Sequence, residues 1–290
     1  MTLRHLQIFL DVADSGKMTS TAEKLYISQS SVSQAIADLE AEYNVKLFER
    51  LNKRLYITEQ GKQLLTYARS IMSLYRDMDE CMRNKKPTLR IGSTFTIAST
   101  DLSTLIRELS RALPSSKTSV VVERTPILEM QLLRNELDIA YVEGKIESDA
   151  IITERILEDE LMLMVPPNHP FFQRDEASIQ ELQDQPFIQR EETSQTRKLF
   201  EQHLHKYNVQ VYNKWICNNM ETIKAAVLNG QGMAIMSARL LRSECEAGLL
   251  KPVRLRGISI NRTFSLAYHK DKYISPDLAT FIRICRSHSA

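Results

Sequence analysis

Cysteine is scarce in this 290-residue chain, and the little there is does not cluster. Cys81, Cys217, Cys245 and Cys285 stand far apart, with no CxxC pair and no zinc-ligand spacing. Neither a disulfide framework nor a zinc module organises such a fold, and in a reducing compartment these thiols are expected to be small buried apolar groups. Glycine is sparse too, and the run Asn229 to Gly232 (NGQG) is neither a GxGxxG fingerprint nor a phosphate-binding loop. The histidines (His5, His169, His203, His205, His269 and His288) share no motif with a nucleophile. His203 and His205, two apart on a helix, point to different sides and cannot clamp one metal. No enzyme activity, cofactor or metal is therefore expected. No stretch approaches the unbroken apolar length of a membrane span. The start, MTLRHLQIFLDVADSG, has no basic segment leading into an apolar core, so no secretory signal is read there and a cytoplasmic location is expected. Charge of one sign is also missing: 38 Lys and Arg against 36 Asp and Glu leave +2, with no global field to attract a polyanion.

What is present is bulk and an uneven arrangement. A hydrophobic fraction of 43% over this length supports two or more domains with substantial cores. The chain is organised around Met18 to Glu42. Ala22 and Leu25 mark a short helix that Thr19 or Ser20 could cap, and Tyr26 and Ile27 make a turn. Ser28 then caps a second helix whose apolar stripe is Val32, Ile36, Leu39 and Tyr43. Its other face opens with Gln29, Ser30, Ser33 and Gln34, short polar side chains suited to base edges and phosphates at the N-terminal end of a recognition helix. An ordinary amphipathic pair with a solvated polar face would show the same pattern. Charge in the neighbourhood supports the recognition helix, although a solvated charged surface would look similar. Lys46, Arg50, Lys53, Arg54, Lys62 and Arg69 face only Glu49 and Glu59, a local basic stretch of the kind phosphate contacts require.

The segment SGKMTSTAEKLYISQSSVSQAIADLE, the run LFER (Leu47–Arg50) and LYITEQGKQLL (Leu55–Leu65), with the distances between them, resemble the winged helix-turn-helix of LysR-type transcriptional regulators. Ser30 stands where that family often has proline. The resemblance extends in length and layout over nearly the whole chain. It implies a multi-domain architecture: an α-helical winged helix-turn-helix, a long dimerisation helix, and an α/β effector domain of two periplasmic-binding-protein-like subdomains. Residues 1–58 would form the head, 59–87 the helix and hinge, and 88–290 the effector domain. Within the last, the first subdomain would take 88–161 and 267–290 and the second 162–266.

The residues themselves support parts of this layout. A helix from Thr58 to Asn84 carries Leu64, Ala68, Ile71, Tyr75, Met78 and Met82 at spacings of four and three, a narrow heptad seam suited to pairing with a second helix. At 1.5 Å per residue it would be roughly 40 Å long. Lys85, Lys86 and Pro87 would end it. Beyond, LRIGS, TSVVVER and LDIAYVEG alternate with helices in a βαβαβ order that implies a parallel sheet, and a second α/β unit opens at ELMLMVPP (Glu160–Pro167). It continues through PFIQR (Pro186–Arg190), VQVYNKWIC (Val209–Cys217) and NGQGMAIM, and FSLAYHK (Phe264–Lys270) returns to the first.

Ligands of open α/β sheets bind at the carboxyl ends of strands. Two hydroxyl-rich ends stand out, Gly92–Ser99 with Ser93, Thr94 and Thr96, and Arg190–Phe200 with Thr193, Ser194 and Thr196. Capping alone accounts for one or two hydroxyls per turn, and both turns lead into helix N-termini that favour a small anion. Resemblance to family members that bind small anionic sulfur metabolites singles out Thr94, Thr96 and Thr196. It also puts Glu143 on the pocket wall and Gln195 where the family often has glycine. A carboxylate there repels a bare anion and asks for an effector that also carries a donor or positive group. The partners implied are a double-stranded DNA operator, a small-molecule effector, a second and, by resemblance, a third and fourth copy of the chain, and RNA polymerase. A thiol redox sensor of the same fold is the alternative. A solute-binding protein, which the C-terminal half alone would suit, is opposed by the fused helix-turn-helix.

Overall fold

The computed structural model describes residues 1–51, 54–83 and 88–288, with the backbone alone for Arg50, Leu51, Arg54 and Cys81. Three helices open the chain: α1 (Leu3–Ser15), α2 (Met18–Leu25) and α3 (Gln29–Tyr43). Gly16, at φ 65°, ends α1 in the left-handed conformation that glycine adopts without strain. Neither Thr19 nor Ser20 caps α2. The helix starts at Met18 with Lys17 at its N-cap and no side-chain cap bond. Gly16 and Lys17 are the entire connection, so hydroxyl bonding falls to Ser15 and to the buried Thr21, whose Oγ1 donates to the Lys17 carbonyl at 3.2 Å. Ser28 does cap α3, accepting from the Ser31 N–H at 3.1 Å. Leu6, Phe9, Val12, Ala22, Val32, Ile36 and Leu39 close one apolar core under these helices. Lys24 reaches back to the buried Asp11 carboxylate, tying α2 to α1.

Strands β1 (Phe48–Leu51) and β2 (Arg54–Ile57) pair antiparallel as a wing. Helix α4 (Glu59–Met82) follows, with Thr58 Oγ1 accepting from the Gly61 N–H at 3.0 Å. A Cβ on Gly61 would sit 2.3 Å from the Leu47 carbonyl oxygen, so only glycine lets α4 start this close to the wing. The seam divides along the helix. Leu64 and Ala68 belong to the head's core, whereas Ile71, Tyr75, Met78 and Met82 are exposed, from 38% at Ile71 to 74% at Met82. Asn84, Lys85, Lys86 and Pro87, the expected helix end and hinge, lie outside the described residues.

The remainder is two α/β lobes sharing strands. In the first, β3 (Thr88–Ser93), β4 (Lys117–Val122) and β5 (Ile139–Glu143) run parallel with β3 in the middle. A helical run covers them: α5 (Phe95–Ile97), a π-helical segment (Ala98–Leu102) and α6 (Ser103–Ala112). Helix α7 (Thr125–Leu133), with Pro126 in its first turn, follows β4. Strand β6 (Ile151–Val165) crosses to the second lobe, where β7 (Glu176–Ala177), β8 (Pro186–Arg190), α8 (Gln195–Lys206), β9 (Tyr212–Cys217), α9 (Met220–Leu228), β10 (Ala234–Ser237), α10 (Arg242–Glu246) and β11 (Lys251–Leu255) lie. Strand β12 (Ile260–His269) crosses back to α11 (Pro276–Ser287).

The crossing strands pair antiparallel from Ile260↔Leu161 to His269↔Ile151, with a register shift between Phe264 and Ser265, and the end of β6 pairs with β10 and β11. They start earlier than the sequence suggested, β6 at Ile151 rather than Glu160 and β12 at Ile260 rather than Phe264, because their charged residues mask the strand pattern. Strand β9 starts later, at Tyr212, after a left-handed Asn208 and a buried Val209. The cores segregate by lobe: residues from Leu89 to Ile156 and from Phe264 to Cys285 pack in one, and residues from Leu161 to Ile260 in the other. Within β12 the change of lobe thus falls between Ile260 and Phe264, somewhat before residue 267.

Where α4 meets the first lobe, Arg90 donates to Asp138 at 2.6 Å and to Ser73 on α4 at 3.1 Å, and Lys272 closes on Asp138 at 2.6 Å. Burial opposes ionisation of Asp138, but the bonds from Arg90 and the Lys272 charge more than offset it and hold the carboxyl below its usual range.

Candidate functional site

At the head, helix α3 presents Gln29, Ser30, Ser33 and Gln34 to solvent while Val32, Ala35, Ile36 and Leu39 are buried. The four are not equivalent. Ser30 bonds Ser28 at 2.8 Å within the capping cluster, and Gln34 Nε2 donates to Asp38 at 2.7 Å. Gln29 and Ser33 make no side-chain hydrogen bond among the described residues and share the open face of the first turns. There is no acidic residue in the first turn of α3, which leaves its partial positive end uncompensated. Arg50 and Arg54 sit in the wing, opposite Leu55 and Leu51 respectively. Lys53 lies outside the described residues, as do the side chains of Arg50 and Arg54.

Between the lobes the two hydroxyl-rich turns face each other across one buried arginine. Arg262, on β12, is 3% exposed at its side chain. Its Nη2 donates to Thr96 Oγ1 at 3.0 Å from the first lobe, and its Nη1 donates to Thr196 Oγ1 at 3.1 Å from the second. Nε donates to Asp159 Oδ2 at 2.7 Å, and Asp159 Oδ1 accepts from Ser237 at 2.6 Å. Glu143 Oε2 is 2.8 Å from Nη1, yet it lies off the N–H direction and forms no hydrogen bond. We read this as a charge contact that leaves the carboxylate oxygen still able to accept. Thr94 Oγ1 is buried without a partner, with its backbone N–H donating to Tyr141 at 3.2 Å.

The other named hydroxyls do less. Ser93 Oγ donates to the carbonyl of Thr94, so it is used locally. Thr193 is exposed and accepts from Arg124 Nη1 at 2.8 Å, a contact between lobes. Ser194 is the buried N-cap residue of α8 without a side-chain cap bond. Gln195 lies against Gly144, where even a Cβ would be 3.2 Å from its amide, so the cleft is narrow there. A second inter-lobe ion pair joins Arg239 to Asp101 at 2.7 Å, and Asp101 sits in the π-helical segment that follows the first turn. Such bulges occur often at functional positions, because the extra residue per turn re-aims a side chain.

Arg262, Asp159, Arg239 and Asp101 were not found from the sequence. A signal for Arg262 existed. In INRTF the two-residue period of a strand puts Arg262 on the same face as Ile260 and Phe264, and all three are buried. A charge on the inward face of a strand is uncommon and asks for partners.

The described thiols are Cys217, Cys245 and Cys285. Burial pushes Cys217 and Cys245 above the ordinary thiol range, and Cys285 up to about 12. That is opposite to what a reactive thiolate requires. Among the described residues no group of three or more His, Cys, Asp or Glu could hold a metal ion, and no helix is long and apolar enough to cross a membrane.

A winged helix-turn-helix, a long helix with an exposed apolar seam and a two-lobed α/β cleft define a DNA-binding regulator with a sensing domain. Two family descriptions match the chain: LysR substrate binding domain over residues 83–290, and bacterial regulatory helix-turn-helix protein, lysR family, over residues 3–62. The chain belongs to the LysR family of transcriptional regulators. It is similar to the uncharacterized HTH-type transcriptional regulator YwqM of Bacillus subtilis, 32% identical and covering 99% of each chain. It is also similar to the uncharacterized HTH-type transcriptional regulator YeiE of Escherichia coli K12, 31% identical over 98% of this chain and 97% of that one. Among solved structures, a full-length OxyR variant from Pseudomonas aeruginosa shares the fold, with a TM-score of 0.70 at 20% identity over 100% of this chain and 94% of that one. The regulatory domain of CcmR from Synechocystis PCC6803, solved in complex with 2-PG, matches with a TM-score of 0.65 at 24% identity over 70% of this chain and 97% of that one.

Proposed function

We propose that this chain is a cytoplasmic, non-catalytic regulator that reads an imperfect inverted repeat in duplex DNA as a homodimer. Its output to RNA polymerase is governed by a small, oxyanion-bearing effector held in the cleft. The division of labour is residues 1–58 for DNA, 59–87 for pairing and 88–290 for sensing. The observation that carries the DNA-reading half is the start of α3, where Gln29 and Ser33 stand exposed and unbonded beside the wing. Those two contact base edges, Ser30 and Gln34 flank them, and Arg50, Lys53 and Arg54 meet phosphates or the minor groove. Thr94, Thr96, Thr196 and Glu143 line the effector site, with Ser93, Thr193 and Ser194 shaping its two turns. The inert thiols argue against redox sensing by the described cysteines, and the head argues against a solute carrier.

Selection from a pool of randomised duplex DNA tests this. The full-length protein is expected to enrich two related half-sites in inverted orientation, spaced by about one helical turn or a multiple of it. Gln29→Ala should blur one base position in each half-site, losing about 1–3 kcal/mol of discrimination there. A pool that yields no enriched sequence would end the reading.

The exposed part of the seam on α4 supports the homodimer, and resemblance extends it to a tetramer. Light scattering should give a mass of two or four chains. Ile71→Glu combined with Met78→Glu should lower it, since two charges in an apolar seam oppose pairing. An unchanged mass would move the dimer contact elsewhere.

A further inference from the structure

The cleft holds donors and an acceptor that do not satisfy one another. Six buried side-chain polar atoms lack a hydrogen-bond partner among the described residues, and two of them are at this cleft: Thr94 Oγ1 and Glu143 Oε2. Thr94 is 2% exposed, so its hydroxyl is shielded from bulk solvent. Thr96 and Thr196 add to the donors. Each hydroxyl oxygen already accepts from Arg262, which leaves its own hydrogen to give, and neither donates to another described residue. Three hydroxyls therefore await an acceptor, while a carboxylate oxygen awaits a donor.

Charge narrows the choice. Arg262 lies between two carboxylates, Asp159 and Glu143, so this buried group carries a formal charge of −1. A bare anion would add to that charge where water is excluded, which is costly. A bare cation would suit Glu143 and leave the hydroxyls unanswered. A molecule with both ends answers all of them and leaves the net charge unchanged. Thr196 is the second residue of the twelve-residue helix α8, whose free N–H groups add partial positive charge on the oxyanion side.

We propose that the effector is a compact zwitterion of the α-amino acid type. Its ammonium group donates to Glu143 Oε2, and its carboxylate accepts from Thr94, Thr96 and Thr196. The proposal rests on the cleft being the effector site and adds the chemical class. Size follows from the spacing of the turns: one guanidinium, that of Arg262, reaches both Thr96 and Thr196, which favours a compact head group.

The test is a thermal-shift and calorimetric comparison of the full-length protein with the common L-amino acids, glycine, sulfate, phosphate, acetate and methylamine at millimolar concentration. At least one amino acid should stabilise the protein by mass action, and acetate and methylamine should not. Glu143→Gln, nearly isosteric, should weaken that amino acid about tenfold or more, the loss expected when a charged hydrogen bond is removed. Thr94→Val keeps the shape, leaves Arg262 and its partners intact and should weaken it by a similar factor, which keeps the test decisive if Glu143→Gln fails to fold. Binding of sulfate or phosphate to the wild type, tightened by Glu143→Gln and weakened by Thr94→Val, would overturn the zwitterion while leaving the cleft as the effector site. An amino acid whose affinity ignores Glu143→Gln, Thr94→Val and Thr196→Val alike would overturn both. A panel in which nothing binds would overturn the zwitterion.

Discussion

The two ends of this molecule prepare for their ligands in opposite ways. The first turns of α3 display their polar side chains to solvent, and Gln29 and Ser33 make no side-chain hydrogen bond among the described residues. The cleft buries its polar residues and connects them through Arg262 to partners 66, 103 and 166 residues away in sequence. An exposed site costs little to build, because water satisfies its polar groups until a partner replaces it. A buried one requires that every group be paired within the protein or left for the ligand. The head thus offers its contacts openly, whereas in the cleft the unpaired atoms carry the information.

Such a difference predicts unequal responses to substitution. The largest effect belongs to Arg262. Arg262→Met removes the cation from between Asp159 and Glu143 and should cost about 3–5 kcal/mol, as for a broken buried ion pair. Urea unfolding of the purified variant, followed at a C-terminal probe such as Trp215, measures it. Arg262→Lys should recover only part of this, since an ammonium cannot serve Thr96, Thr196 and Asp159 in one planar fork. A loss below about 1 kcal/mol in Arg262→Met, well under the range for a buried pair, would mean that the two lobes do not depend on the arginine, and the contrast between head and cleft would collapse.

The matching perturbation in the head is smaller. Ser28→Ala deletes the N-cap of the recognition helix and should cost about 1 kcal/mol, with a parallel weakening of DNA binding as the first turn frays. The effector domain should melt as in the wild type. If Ser28→Ala instead destabilised the protein as much as Arg262→Met, the head would not be the locally determined unit its short-range bonds indicate.

Legibility in the sequence follows the same division. The helix-turn-helix, the cap at Ser28 and the turn at Tyr26 and Ile27 are readable, because each depends on residues within a few positions of one another. The seam on α4 was readable as a period, although its first part turned out to belong to the head's core. The crossing strands were read too short. Their stretches ITERILEDE and INRT look like charged loops until one knows that the two strands pair with each other over ten residues.

Sequence by itself determined the elements, the family and the hydroxyl-rich turns, since propensity, capping and apolar periodicity are short-range properties that survive without a tertiary context. It also put Thr94, Thr96, Thr196 and Glu143 on a common wall by analogy. Only the tertiary structure decided that Arg262 would stand between those threonines, that Glu143 Oε2 would meet it as a charge contact without a hydrogen bond, and that Thr94 Oγ1 would be left without a partner. Those facts depend on the register of β12 against β5 and β6, where Phe264 faces Glu143 and Arg262 faces Asp159. A slip of one residue would turn Arg262 to the opposite face of the sheet. Register is set by the packing of both lobes at once, so no local stretch of the sequence contains it.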